Sequence, residues 1–393
     1  CPICSNNEVE VLHHISFILP VNSPLPDAYD IVACKACGFV YADTSGSQQD
    51  YDRYYYEYSK YGDPTVATGG SQDPYDHARI EKQADRIAAQ IGKDARILDI
   101  GCARGGLLLA LRNRGYKFLH GVDGAPACIA QLSRYRIPAT LLRLSELDRN
   151  CFDGKFDLII LSHVLEHVVD LKQLLTTTKS ILASSGKIYV ETPDASRYDS
   201  VTFVPYYFFD SEHINHFDTY SLSILAQTVD LHPIVCVQTT LEVAEAMHYP
   251  ACYVWLSQSE ETFTTIVGQY EKVPLRVKMQ KYIADSAAQE SYPILEALEK
   301  SQTPIIIWGA GSFVQRLFTR SPLRRCNIIG IVDKDSNKQG MVIADYTVTT
   351  PEALIRNHPN ATILVAAAVQ FDAITKEAQS LLPTCNIVRA TDK

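Results

Sequence analysis

An apolar run that meets an acid and then passes straight into glycines is the chain's most informative stretch: ILDIGCARGG, Ile97 to Gly106. A buried strand turning sharply into a helix would gather Asp99, Gly101, Cys102, Ala103 and Gly105 around one backbone bend. Glycine lets a ligand approach where a Cβ would collide. The start of a helix presents N–H groups that have no partner inside the helix. The G-x-G-x-x-G spacing that cradles a dinucleotide pyrophosphate is not met, because the run reads Gly101-x-Ala103-x-Gly105. Farther on, Asp123 in GVDG, with Gly124 after it, closes a second apolar run. An acid there can accept hydrogen bonds from both hydroxyls of a ribose; the alternative is a solvated loop carboxylate.

Two histidine-bearing segments follow. FDLIILSHVLEHVVD, Phe156 to Asp170, sets Ser162 and His163 at the end of a β-like run with Glu166 and His167 just beyond. His163-x-x-Glu166-His167 also matches the H-x-x-E-H pattern of zinc proteases, which needs both histidines on one helical face. The β-like Leu158 to Leu161 leading directly into it opposes that reading. SEHINHFD, Ser211 to Asp218, holds His213 and His216 with Glu212 adjacent. A histidine titrates near neutral pH, and beside a carboxylate it suits general-base work. By residue type alone, a packed and hydrogen-bonded histidine is the commoner outcome.

Cys1-x-x-Cys4 and Cys34-x-x-Cys37 are paired knuckles whose four thiolates suit a closed, tetrahedral, structural zinc site. The segment between them is too short to bury much core, so a metal would supply the missing stability. The other cysteines, Cys102, Cys128, Cys151, Cys236, Cys252, Cys326 and Cys385, are scattered singly and read as core thiols of a reducing, cytoplasmic compartment. The chain opens on Cys1 and reads as a trimmed segment, with a metal ligand favoured over a lipid-modified N-terminus. The net charge of -9 opposes nucleic-acid binding by phosphate neutralisation. The basic stretch Arg316 to Arg325 reads as a solvated helix face. No apolar run is long enough for a membrane span, and no leader peptide is expected.

The elements that must position these groups alternate. The spacing predicts a helix over Ile80 to Ile91 and strands over Arg96 to Ile100, Phe118 to Val122, Ala139 to Leu144, Phe156 to Leu161 and Lys187 to Glu191. Helices are predicted over Leu107 to Arg114 and about Asp170 to Ala183. Such alternation argues for a parallel, doubly wound sheet, which binds ligands at the carboxyl ends of its strands. Residues 250–300 read as helical. The alternation then resumes from Pro304, with Gly309-x-Gly311 after a strand, Val314 where a dinucleotide fingerprint needs its third glycine, and Asp333 closing the next strand. A tyrosine-rich connector (Tyr51, Tyr54, Tyr55, Tyr56, Tyr58, Tyr61, Tyr75) should lie against the central unit. The divisions expected are 1–75 zinc-binding domain and connector, 76–245 central domain, 246–300 helical linker and 301–393 C-terminal α/β domain.

The Ile97–Gly106 bend resembles the first motif of class I S-adenosylmethionine methyltransferases, D-x-G-x-G-x-G after a strand, with Ala103 in place of one glycine. Asp123 and the Phe156–Asp170 segment fall where that family has its ribose acid and fourth strand. The resemblance implies that the bend holds the methionine part of the cofactor. It places adenine contacts near Leu144, Ser145 and Glu146, and Ser162 and His163 beside the cofactor. The whole layout resembles the three-domain sugar C-methyltransferases: a zinc domain, a methyltransferase domain with an E-H-x-x-Y/H-F segment, and a C-terminal α/β domain with an IVDKDSNKQG-like stretch. The fold implied is α/β, a doubly wound Rossmann-like methyltransferase sheet flanked by a small zinc-binding domain and a C-terminal Rossmann-like α/β domain.

That resemblance implies S-adenosylmethionine as cofactor, a structural zinc, and a sugar acceptor, nucleotide-linked or in a glycan. His213 would be the base, with Glu212 and His216 beside it. Two positions depart from the family. Asp210 stands where it has a tyrosine, and Ala367, Ala368 and Val369 stand where it often has an aromatic–Asn pair. With the phenol missing, the base could act on a hydroxyl as well as on a carbon acid. The rival readings are a methyltransferase for a non-sugar small molecule, a zinc protease through His163, Glu166 and His167, and a non-catalytic protein that keeps the cofactor fold.

Overall fold

The computed structural model describes residues 1–58, 69–70, 73–201, 203–245, 247–259, 265–267 and 273–391. Tyr61 of the connector lies outside them. The chain opens with β1 (Val9–Ser16), β2 (Ala28–Cys34), β3 (Val40–Asp43) and helix α1 (Gln48–Glu57). The central unit runs α2 (Pro74–Ala88), β4 (Arg96–Ile100), α3 (Gly106–Asn113), β5 (Phe118–Asp123), α4 (Pro126–Arg134), β6 (Ala139–Leu141), β7 (Phe156–Ser162), α5 (Leu171–Ser180) and β8 (Leu182–Pro193). It continues with β9 (Asn215–His216), α6 (Thr219–Gln227), β10 (His232–Ala244), β11 (Met247–Ser257) and β12 (Thr265–Val267). Helices α7 (Leu275–Gln289) and α8 (Pro293–Ser301) lead to β13 (Ile305–Trp308), α9 (Ser312–Arg320), β14 (Ile328–Val332), β15 (Val342–Ile343), β16 (Tyr346–Thr349), α10 (Pro351–Ile355), β17 (Thr362–Val365), α11 (Phe371–Leu381) and β18 (Ile387–Arg389).

The central sheet has the order β12-β10-β11-β8-β7-β4-β5-β6. Its β4, β5, β6, β7 and β8 are parallel, β11 alone runs against them, and β10 and β12 beyond it point the same way as the parallel set. Helices cover both faces, so inner strands are buried on both sides and read as unbroken apolar runs: Leu158 to Leu161 and Ile188 to Val190 are all buried. Strand order reverses between β4 and β7, which opens a crevice at their carboxyl ends. The C-terminal sheet, β15-β16-β14-β13-β17-β18, repeats the parallel pattern around β13.

Local signals set most helix starts. Ser47 and Asp50 form a capping box on α1, Asp73 caps α2 ahead of Pro74, and Asp218 and Ser221 cap α6 reciprocally. Four expectations need correction. Residues 247–257, read as helical linker, form β11, so the central sheet continues past 245; the run Ala251 to Leu256 is apolar throughout, and a short apolar run carries no period to tell strand from helix. The third strand stops at Leu141, and Leu144–Glu146 is a single 3-10 turn. Helix α5 ends at Ser180, because β8 already begins at Leu182. Arg316 is no solvated face: it is buried and donates from Nη1 to the Phe209 carbonyl at 2.9 Å. A feature that the sequence did not signal is that β9 leaves the central unit to extend the N-terminal sheet, order β1-β2-β3-β9, by pairing with β3.

These cross-links join the units. Beyond Arg316, α9 holds the N-terminal segment through Thr319 Oγ1 to the Ser16 carbonyl at 2.9 Å and the Ile18 N–H to the Gln315 carbonyl at 3.0 Å. The connector helix α1 lies against the central unit as expected: Tyr51 is buried, and Asp52 Oδ2 accepts the Ser145 N–H at 3.0 Å.

Candidate active site

The bend after β4 is built from left-handed residues. Gly101, Ala103 and Gly105 have φ of 73°, 46° and 75°. A Cβ on Gly101 would stand 2.6 Å from Cγ2 of Val164, at the end of β7, so only glycine fits where the two strand ends meet. Asp123, the last residue of β5, accepts the Ala103 N–H at 2.9 Å and the Ala125 N–H at 2.8 Å. It thereby ties the glycine bend to the next loop, which includes Gly124, and it also takes a hydrogen bond from the Cys128 thiol of α4. Asp99 is buried beneath the bend; burial, then the nearby Asp123, pushes its pKa up to about 8. Cys102 is buried behind it. Ser145 sits in the 3-10 turn, where its N–H is already taken by Asp52.

At the end of β7 the chain makes an unusual turn. His163 has φ 55°, a region L residues seldom hold, and its N–H donates to the Glu191 carbonyl at 2.7 Å. Its Nδ1 lies 3.0 Å from Glu166 Oε1 and its Nε2 3.7 Å from Glu191 Oε1. Burial opposes charge on His163, but the two buried carboxylates outweigh it and raise its pKa to about 9. Glu191, though buried, is held down to about 2 by His163 and Arg86. Arg86 of α2 donates to Glu191 Oε2 at 2.9 Å, and Tyr189 donates to the same carboxylate. Ser162 Oγ accepts from Gln83 Nε2 at 2.8 Å. Glu191, at the end of its strand, could have been suspected from IYVETP; nothing local marks Arg86, Gln83 or Asp52, which sit on helices far away in sequence.

The protease reading fails on this geometry. Leu165–His167 is one 3-10 turn with His163 before it, so the two histidines share no helical face. Their ring nitrogens are engaged by Glu166 and by the Glu212 carbonyl, the latter 3.0 Å from His167 Nδ1.

The Ser211–Asp218 segment is laid across this turn. The Ile214 N–H donates to the Glu166 carbonyl at 2.8 Å, and Asn215 Nδ2 donates to the Leu165 and Val168 carbonyls at 3.0 and 2.7 Å. That pins the His213 ring against His167, centroids 4.8 Å apart. Burial, then His167, lowers the His213 pKa to about 4, so it is neutral at ordinary pH and able to take a proton. Glu212 does not orient it. Its two carboxylate oxygens accept instead from Tyr54 and Tyr55 of α1, at 3.0 and 2.9 Å. His216 is also not brought to the site: it is fully buried in β9, packed against Tyr198 and Phe209, and burial lowers its pKa to about 3. Asp210 reaches the C-terminal unit, accepting from Ser312 at the start of α9.

At the other end, the Sγ atoms of Cys1, Cys4, Cys34 and Cys37 all lie within 4.8 Å of one another. The Cys1–Cys37 and Cys4–Cys34 separations are 3.6 and 3.5 Å. A tetrahedral thiolate site with metal–sulfur bonds of about 2.3 Å needs edges of about 3.8 Å, so the donor set fits. Among the described residues it is the only such cluster of metal-ligating side chains.

Fold and bend together define a class: an α/β, Rossmann-like methyltransferase domain. Residues 74–235 match the family model described as "Methyltransferase domain". A ubiquinone biosynthesis O-methyltransferase of Neisseria meningitidis serogroup C is 24% identical over 106 residues, 25% of this chain and 43% of the relative. The serogroup A protein of the same name matches equally, so the chain spans less than half the length of the curated relatives it matches. Among solved structures, the Burkholderia thailandensis 1,6-didemethyltoxoflavin-N1-methyltransferase with bound 1,6-didemethyltoxoflavin and S-adenosylhomocysteine is 16% identical. It covers 57% of this chain and 97% of that one at a TM-score of 0.40. The PH0226 protein of Pyrococcus horikoshii OT3 is 18% identical, covering 50% and 96% at a TM-score of 0.39. No helix among the described residues is long and apolar enough to cross a membrane.

Proposed function

We propose that the chain transfers a methyl group from S-adenosylmethionine to a sugar, nucleotide-linked or within a glycan, with His213 as the general base and a structural zinc on Cys1, Cys4, Cys34 and Cys37. The observation that carries this reading is the meeting of the Gly101 bend with the His163–His167 turn at the carboxyl ends of adjacent strands, where Gly101 abuts Val164. Bound there, S-adenosylmethionine supplies an electrophilic methyl group. The bend from Gly101 to Gly105 leaves room for its methionine part, and the Asp123 carboxylate can take its ribose hydroxyls.

His213 then works as a neutral imidazole. It accepts the proton from the acceptor atom as the new bond to the methyl forms, either a carbon next to a keto group or a hydroxyl oxygen. A positioned base contributes about 10²–10⁴-fold. Alignment of acceptor and methyl contributes more, up to ~7–11 kcal/mol in the best intramolecular cases. With Asp210 turned to Ser312, no phenol acts from that register, which keeps O-methylation beside C-methylation as a route for the same base.

The test has two stages. Titration calorimetry with S-adenosylhomocysteine should show binding, and its absence would overturn the reading. Cofactor consumption across keto and non-keto nucleotide sugars should then find a substrate; turnover confined to non-sugar acceptors would overturn the sugar assignment alone.

A further inference from the structure

We infer that Tyr249 meets the acceptor's oxygen, its phenol donating a hydrogen bond there while His213 takes the proton; this rests on the methyl-transfer reading above. Tyr249 lies in β11, opposite Leu241 of β10. Two residues later Ala251 pairs with Pro193, the last residue of β8, so Tyr249 stands just beyond the carboxyl edge of the sheet. Its ring lies 6.4 Å from His163, 6.4 Å from Tyr207 and 5.3 Å from Phe208. It therefore borders the strand end that carries the candidate cofactor contacts.

Other phenols around the site are engaged. Tyr54 and Tyr55 donate to Glu212, Tyr189 donates to Glu191, and Tyr198 lies 3.4 Å from His216 Nδ1. Tyr249 is half-buried, and no hydrogen bond from its phenol to a described residue is present. Its hydroxyl is not sealed from solvent, so a ligand can reach it and accept from it.

The electrostatics suit a donor. Burial, then Tyr198, Tyr207, Glu166 and Asp210, pushes the Tyr249 phenol well above its ordinary range, so it keeps its proton. The charges of Asp210 and Glu166 act on His213 as well, against burial and His167. One group holds a proton and the other is free to accept one. A donor aimed at an oxygen that gains negative charge in the transition state is worth about 10²–10³-fold where it is preorganised. An acceptor served by this pair carries an oxygen on or next to the methylated atom: a keto group for carbon methylation, a hydroxyl for oxygen methylation.

The experiment compares wild type with Tyr249→Phe, which keeps the ring contacts and removes the hydroxyl. The probes are dTDP-4-keto-6-deoxyglucose and UDP-glucose with S-adenosylmethionine, alongside calorimetry with S-adenosylhomocysteine. The expected result is a fall of about 10²-fold in kcat for Tyr249→Phe, with S-adenosylhomocysteine affinity within about twofold. A variant within about twofold of wild-type kcat overturns the inference. Wild type that binds S-adenosylhomocysteine yet methylates neither probe overturns the oxygen-bearing acceptor and the role of Tyr249 with it, leaving the cofactor site standing. Wild type with no affinity for S-adenosylhomocysteine overturns the parent reading instead.

Discussion

The imidazoles of His167 and His213 meet edge to face, 4.8 Å between centroids, and the backbone carbonyl of Glu212 holds His167 from the other side. Two turns far apart in sequence are locked together here, and His213 is kept neutral by burial and by its neighbour. His213→Ala should cut turnover by about 10²–10⁴-fold while leaving S-adenosylhomocysteine affinity within about twofold. Steady-state kinetics with calorimetry checks both, and retained turnover would show that the base lies elsewhere.

Gly101→Ala should weaken cofactor binding by at least about tenfold and lower the melting temperature. The added Cβ meets Val164 at 2.6 Å, at a φ of 73° that costs a non-glycine residue about 1–2 kcal/mol. Thermal melts with and without S-adenosylhomocysteine measure both effects. An unchanged ligand-induced shift would mean that the bend does not hold the cofactor.

Metal analysis of the purified protein should find about one zinc per chain, as a closed four-thiolate site requires. Cys34→Ser should lose it and destabilise the N-terminal sheet, since metal binding and folding are coupled. His163→Ala should keep the metal. Loss of zinc from His163→Ala would revive the histidine-ligand reading.

Acid should destabilise the fold before it protonates the carboxylates. His13, His213 and His216 have pKa values lowered to about 4, 4 and 3. Between those values and about 6.5 the unfolded chain binds protons that the folded chain refuses, so stability falls as pH drops through that window. His163 acts the other way: its contribution is complete below about 6.5 and is lost as pH rises toward 9. For the fully buried His216 the loss at about pH 5 is about 2 kcal/mol. His216→Phe should therefore lose less melting temperature than wild type between about pH 7 and pH 5. Parallel pH curves for the two proteins would count against it.

The residue order alone determined the strand–bend–helix at Ile97 to Gly106, the β-α alternation on either side of it and the two cysteine knuckles, because backbone geometry and ligand spacing are written in contiguous residue types. Asp123 at the end of β5 was legible for the same reason. Tertiary structure decided what the side chains do. Glu212 adjoins His213 in the chain, yet its carboxylate turns to Tyr54 and Tyr55, and His216 is sealed in the core by a strand that joins another sheet. Arg86, Asp52 and Tyr249 reach the site from elements with no local mark of function. Burial and hydrogen-bond partners come from residues tens or hundreds of positions away, and only the packed chain brings them within reach.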